Sequence, residues 1–396
     1  MSEMSRGANE SYFRFALRQL PPQGKILTPF NVISAPLIAL GAVLVVIRFL
    51  YGLGAVTNLS QEYPWGIWVG FDVITGVAFA GGAYVLTFIV YIMRAEKYHP
   101  VVNAAVLNGT LGYMFAAASL QLDLGRPWKI INPIIGNDFG YNSVLFLVAW
   151  HFLLYLTAQI LEFFPVVATW IGWPRVRKLL KSMTVGVVIV GFTLSILHQS
   201  GLGALFLMAK GKLHPLWYSE FLPINFLCSS VFAGLSMVIV EGSISHRVFS
   251  HKVSPEHHQK FDGILFGLAK GACIALFVYY FFQAFVFIHG KHWTMINDFY
   301  GYWYLVEVIG FVLVPCFLLG NGVRRRSKPL VTIGAVMTLL GILLNRLNIS
   351  LVAFNYQLPH RYYPHWMEFM ITVAIVLTEI WVFRWAVHRL PVLDDH

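Results

Sequence analysis

Runs of roughly twenty apolar residues recur almost without pause along this chain. Wound as a helix, a run of that length matches a hydrocarbon core of about 30 Å. Ten are read, over residues 28–50, 65–93, 100–122, 141–163, 182–208, 224–248, 263–288, 301–319, 330–353 and 365–389. Lipid satisfies no backbone N–H or C=O, so each span must bond within itself, and the alternating pattern of a barrel strand is missing. The fold class is therefore all-α, a polytopic membrane protein with about ten transmembrane helices. Residues 28–390 form the membrane domain, between an arm over 1–27 and a tail over 391–396. Charge agrees: 12% of residues are charged, against about 25% in soluble domains, which is too few to clothe a 58% hydrophobic chain in water.

An even number of spans puts both termini on one side. The segments on that side carry nineteen Lys and Arg, the opposite segments carry eight, and Lys270 lies within a span, which accounts for all 28. By the positive-inside rule both termini are cytoplasmic, in a bacterial inner membrane, and the opposite face is periplasmic. The net charge of +10 is spread over short loops as a topology signal, and no nucleic-acid partner is expected. The first 27 residues hold Glu3 and Glu10 and show no small-residue cleavage site after an apolar run, so they are read as a retained arm. Tyr12, Phe13, Leu17 and Leu20 suit a short interfacial helix, and a disordered tail fits the same residues.

Cys228, Cys273 and Cys316 all fall inside apolar spans, with no C-x-x-C, so no iron–sulfur cluster or c-type haem is expected in this chain. Phosphate-loop, dinucleotide and H-E-x-x-H patterns are missing as well. Any electrons must arrive from another subunit.

Ionisable residues inside spans are costly and mark pathways or ligands. The second span opens Tyr63-Pro64-Trp65-Gly66-Ile67-Trp68, with Asp72 one turn below Trp68, so helical spacing puts Trp65, Trp68 and Asp72 on one face. Leu122-Asp123-Leu124-Gly125-Arg126 closes the third span at the same surface, where an Asp/Arg pair ending a helix is an equal alternative. His198-Gln199 sits about two turns before the periplasmic end of the fifth span. An aromatic wall, carboxylates and an imidazole at one depth suit a quinone, which needs an apolar slot, partners for two carbonyls and a source of two protons. The quinone-binding candidates are Trp65, Trp68, Asp72, Asp123, Arg126, His198 and Gln199. A deeper set, His151, Tyr155, Glu162, Glu241, Lys270, Glu307, Glu368 and Glu379, forms the candidate proton path. His151 and Glu162 are eleven residues apart, as are Glu368 and Glu379, so each pair spans about 16 Å on one helix face. Interhelical hydrogen bonding is the plainer role for each of these residues. Arg346 is read as snorkelling to the surface.

One b haem between His151 and His198 is geometrically conceivable. A secondary transporter would instead place its site at the midplane between inverted repeats. A purely structural anchor would use none of these groups for chemistry.

Tyr63 to Trp68 with Asp72, Leu122-Asp123-Leu124-Gly125-Arg126-Pro127, Asn142 to Phe146, His198-Gln199-Ser200, His214-Pro215-Leu216-Trp217, Val240-Glu241-Gly242-Ser243 and Leu351 to Asn355 together resemble the NrfD/PsrC family of integral membrane subunits. Within it they are most similar to the HybB-type subunit of respiratory nickel–iron hydrogenases. The resemblance implies two four-helix bundles, helices two to five over about 65–209 and six to nine over about 224–353, flanked by the first and last helices. It implies a periplasmic-side pocket for menaquinone or ubiquinone and no haem. The implied partners are a ferredoxin-like subunit with several 4Fe–4S clusters and the large and small hydrogenase subunits. Electrons from hydrogen would then reach quinone, with transmembrane proton transfer as a further expectation. Asp72, Asp123, Arg126 and His198 carry over as pocket residues, and Glu162 and Glu241 as proton-path residues. A molybdenum oxidoreductase as the donor complex fits the same pattern. One departure is Leu147, where the family pattern implies an acid after Phe146; His151, one turn on, is the substitute this sequence offers.

Overall fold

The computed structural model describes residues 6, 10–21, 25–130, 132, 140, 142–248 and 255–392, without the side chains of 255–259. Parts of the arm (1–5, 7–9 and 22–24), Tyr141 and the last four residues of the tail lie outside the described residues. In the arm, Tyr12–Gln19 is a short helix capped by Ser11, whose hydroxyl accepts from Arg14 N at 3.3 Å. Its Phe15 packs edge-on against Trp170 at 4.9 Å, while Phe13, Leu17 and Leu20 stay exposed, as an interfacial helix requires.

Among the described residues ten helices are long and apolar enough to cross a membrane, and there is no strand. They are α1 (Pro29–Tyr51), α2 (Trp68–Ile92), α3 (Glu96–Asp123), α4 (Val144–Ile171), α5 (Pro174–Leu207), α6 (Leu222–Val248), α7 (Pro255–His289), α8 (Phe299–Arg324), α9 (Lys328–Val352) and α10 (Trp366–Arg389). The surface that carries the termini is the terminal face and the other is the opposite face. Several helices outrun their apolar windows. α4 continues to Ile171 and α5 begins at Pro174, where the apolar runs end at 163 and restart at 182. The turn between them is Gly172-Trp173, with Gly172 at φ +79°, a conformation glycine adopts without strain. Arg175, Arg177, Lys178 and Lys181 are therefore helical rather than loop residues.

α2 packs against α3 and α5, α3 against α4, and α4 against α5, closing one group of four. α6, α7, α8 and α9 close a second ring, and the two groups meet where α2 touches α6 and α9 and where α5 touches α6. α1 and α10 pair with each other, and α10 lies on α3 and on the start of α2. α2 is broken near Ala80–Gly81, and there its backbone meets that of α6. A Cβ on Gly82 would stand 2.7 Å from Gly234 O, and one on Gly234 would stand 2.1 Å from Gly82 N. Small residues let membrane helices approach this closely. Gly234→Leu is therefore expected to destabilise the fold by at least about 1–3 kcal/mol, seen as a lower melting temperature in detergent. Gly263→Leu on α7, where nothing stands within 4 Å of the new Cβ, is expected to melt with the parent.

Candidate functional site

Tyr63 to Gly66 do not wind into α2; the helix starts around Ile67, and Trp68–Val73 then form a π-helical turn. The expected shared face of Trp65, Trp68 and Asp72 is lost for that reason, because 3.6-residue spacing holds neither before the helix nor within the wider π turn. Trp65 packs on Phe206 and Phe354, at 5.7 and 6.1 Å between rings. Trp68 turns to α10 and donates its Nε1 hydrogen to Glu368 O at 3.2 Å. Asp72, buried one turn below, accepts from Thr372 Oγ1 of α10 at 3.0 Å.

Asp123 is the last residue of α3, and its Oδ1 is buried without a hydrogen-bond partner. The cation beside it comes from α1. Arg48, buried, donates Nε to Leu122 O at 2.7 Å and Nη2 to Leu124 O at 2.5 Å, and so caps α3. Arg126, the arginine read from the sequence, is exposed in the following loop. Glu368 is at the same surface, as the capping-box residue of α10. It accepts from Asn58 N and His365 N, each at 2.9 Å, and from the Tyr362 hydroxyl. Burial and the adjoining Glu368 push the Tyr362 hydroxyl above its usual range, which keeps it a donor.

His198 and Gln199 belong to a second neighbourhood, inside α2–α5. The His198 ring lies between Tyr113 and Phe152, at 5.7 and 5.3 Å. Its Nδ1 faces Val148 O at 3.3 Å and its Nε2 is unpartnered. Gln199 Nε2 donates to Val77 O at 2.9 Å and to the Tyr113 hydroxyl at 3.3 Å. The Tyr113 ring meets Tyr155 edge-on at 4.7 Å, and Gln159 Nε2 donates to the Tyr155 hydroxyl at 2.9 Å. One turn further toward the terminal face, Glu162 leaves Oε1 unpartnered and lines a crevice with Thr87, Tyr91, His99, Arg177 and Lys181. No hydrogen bond joins Asp72 or Asp123 to His198, so the three candidates divide: Asp72 faces α10, Asp123 lies beside Arg48 of α1, and the histidine lies within the α2–α5 group.

The remaining proton-path candidates are scattered. His151 is half-buried on α4 with Nδ1 unpartnered, and Glu241 on α6 has an unpartnered Oε1. Glu379 lies beside α3, with Oε1 3.8 Å from where a Cβ on Gly112 would stand. Lys270 does not lie on an internal path: it is exposed on the outer face of α7, on the stripe that carries exposed Ile274, Phe277 and Phe281. Glu307 is enclosed, accepting from Trp217 Nε1 at 2.8 Å, Asn345 Nδ2 at 2.6 Å and Asn348 Nδ2 at 2.5 Å. Arg346 does not snorkel. It is 1% exposed, donates to Asn345 Oδ1 at 2.9 Å and Ser229 Oγ at 2.6 Å, and lies over the Phe226 ring at 3.5 Å. Sequence reasoning missed this cluster, although Asn345-Arg346-x-Asn348 in an apolar span was its signal.

The family model described as polysulphide reductase, NrfD, matches residues 55–356. This chain belongs to the NrfD family. A protein of Nitratidesulfovibrio vulgaris is 43% identical over 94% of this NrfD chain and 96% of its own length. The probable Ni/Fe-hydrogenase 2 b-type cytochrome subunit of Escherichia coli is 32% identical, over 95% of this chain and 96% of that one. The menaquinone reductase integral membrane subunit of Nitratidesulfovibrio vulgaris is 25% identical, over 87% and 86%. The chain is thus an NrfD multi-pass membrane subunit related to subunits of redox complexes. The hydrogenase relative's name includes a b-type cytochrome; of the two histidines read for haem, His198 lies inside the α2–α5 group with Nε2 unpartnered and His151 is half-buried on α4.

Proposed function

We propose that this chain is the quinone-reducing membrane subunit of a hydrogenase-type respiratory complex. It receives electrons from a ferredoxin-like iron–sulfur subunit docked on the opposite face, which is periplasmic by the positive-inside rule, and the substrate is menaquinone or a related quinone. The observation that carries this reading is the pair of carboxylates at the opposite-face end of α2 and α3. Asp123 has a buried oxygen with no partner, and Asp72 is held by a single neutral hydroxyl. Reduction adds two electrons and two protons to the two quinone carbonyl oxygens, and carboxylic acids in an apolar setting are suited to supply the protons. The relationship to a menaquinone reductase subunit supports the substrate class.

A photoreactive quinone added to membranes that hold the full complex is expected to label the segments around Asp72 and Thr372, with competition by unlabelled quinone. Labelling confined to α6–α9 would overturn the assignment.

The replacement protons are drawn from the terminal face, through the crevice at Glu162 and then Gln159, Tyr155 and Tyr113 as far as His198, and water carries them over the remaining gap to the carboxylates. The unpartnered oxygens of Glu162, Gln159 and Gln199 are acceptors that waters complete into a relay. Glu162→Gln is expected to slow quinone turnover at least about tenfold with quinone affinity unchanged, read from kcat and KM in proteoliposomes. Unchanged kcat would remove this route.

A further inference from the structure

Cys273 on α7 and Cys316 on α8 stand side by side, with Sγ atoms 3.9 Å apart. Each thiol also faces the other residue's backbone carbonyl, Cys273 Sγ at 3.4 Å from Cys316 O and Cys316 Sγ at 3.6 Å from Cys273 O. The contact is therefore reciprocal and fixed by the packing of the two helices. Cys273 is half-buried at this seam, so a lipid-soluble reagent has access to it, whereas Cys228 on α6 has no such sulfur neighbour. A disulfide needs the sulfurs at about 2.05 Å, so closure asks for side-chain rotation and a small approach of the helices.

We propose that Cys273 and Cys316 are a redox-sensitive staple between α7 and α8, closed by a quinone dissolved in the membrane. The two S–H bonds break and one S–S bond forms. The two electrons and two protons released pass to the carbonyl oxygens of the quinone, giving one disulfide and one quinol. The oxidant arrives through lipid, so the staple does not depend on where the chain's own quinone site lies.

Closure acts on a deformable part of α8. Val306–Leu313 is π-helical and carries Glu307, and Pro315, next to Cys316, has no N–H to give to the helix. Tying Cys316 to α7 fixes the lower end of that segment.

The test treats the full-length protein in its membrane, without oxygen, with a fully substituted short-chain quinone. The protein is then denatured and its thiols are counted with a maleimide and by intact mass. The expected count falls from three to one. The mass falls by two hydrogen atoms, and tris(carboxyethyl)phosphine restores both. Cys273→Ser and Cys316→Ser are each expected to keep their two remaining thiols under the same treatment. Three thiols still reactive in the parent, a mass gain from quinone addition, or loss that persists in either serine variant would overturn the staple.

Discussion

Replacing Asp72 by asparagine is expected to slow quinone reduction by the assembled complex about 10²- to 10⁴-fold, the usual effect of removing a positioned proton donor. The side chain keeps its shape, and its oxygen still accepts from Thr372, so α2 and α10 stay docked. Electron delivery from the partner subunits to a soluble dye is expected to continue at the parental rate. That contrast separates chemistry at α2 from assembly of the complex. Asp123→Asn is expected to act in the same direction, and Arg48→Leu to act through Asp123 by uncapping α3. An Asp72→Asn complex that reduces quinone at full rate would leave Asp72 with a packing role alone.

Arg346→Leu is expected to cost about 3–5 kcal/mol of stability, the range for removing one partner from a buried charged network. The guanidinium reaches Glu307 through Asn345, whose amide accepts from Arg346 at 2.9 Å and donates to Glu307 at 2.6 Å. Without it the 2%-exposed Glu307 keeps three donors and loses the nearby cation that balances its charge. The double variant Glu307→Gln with Arg346→Leu is expected to recover part of the loss, because neutralising both members removes the uncompensated charge. Unfolding by a denaturing detergent, followed through tryptophan fluorescence, measures both. Equal losses in the single and double variants would show that Arg346 acts by packing on Phe226.

Helix number and type were legible because hydrophobicity over twenty residues is a direct physical demand of the bilayer. The ends were less so: α4, α5 and α7 run on into the headgroup region, where water no longer forbids or requires a helix. Asp72, Asp123 and Glu162 stood out as charges in apolar surroundings. Their neighbourhoods did not, since helical spacing fails at the π turn of Trp68–Val73 and says nothing of which helix faces which. Arg346 was misjudged and Arg48 passed over for one reason. An arginine near the end of a span has two outlets, the headgroups or a neighbouring helix, and only packing decides between them.

The segment that matches the family ends at Phe354's neighbourhood, Tyr356, and begins at Ala55. Outside those residues, Arg48 caps the helix end beside Asp123 and Thr372 donates to Asp72. The common eight-helix body thus offers carboxylates, while the outer pair α1 and α10 sets their company. In this chain the settings of Asp72 and Asp123 depend on contacts from the two outer helices as well as on the body that carries the acids.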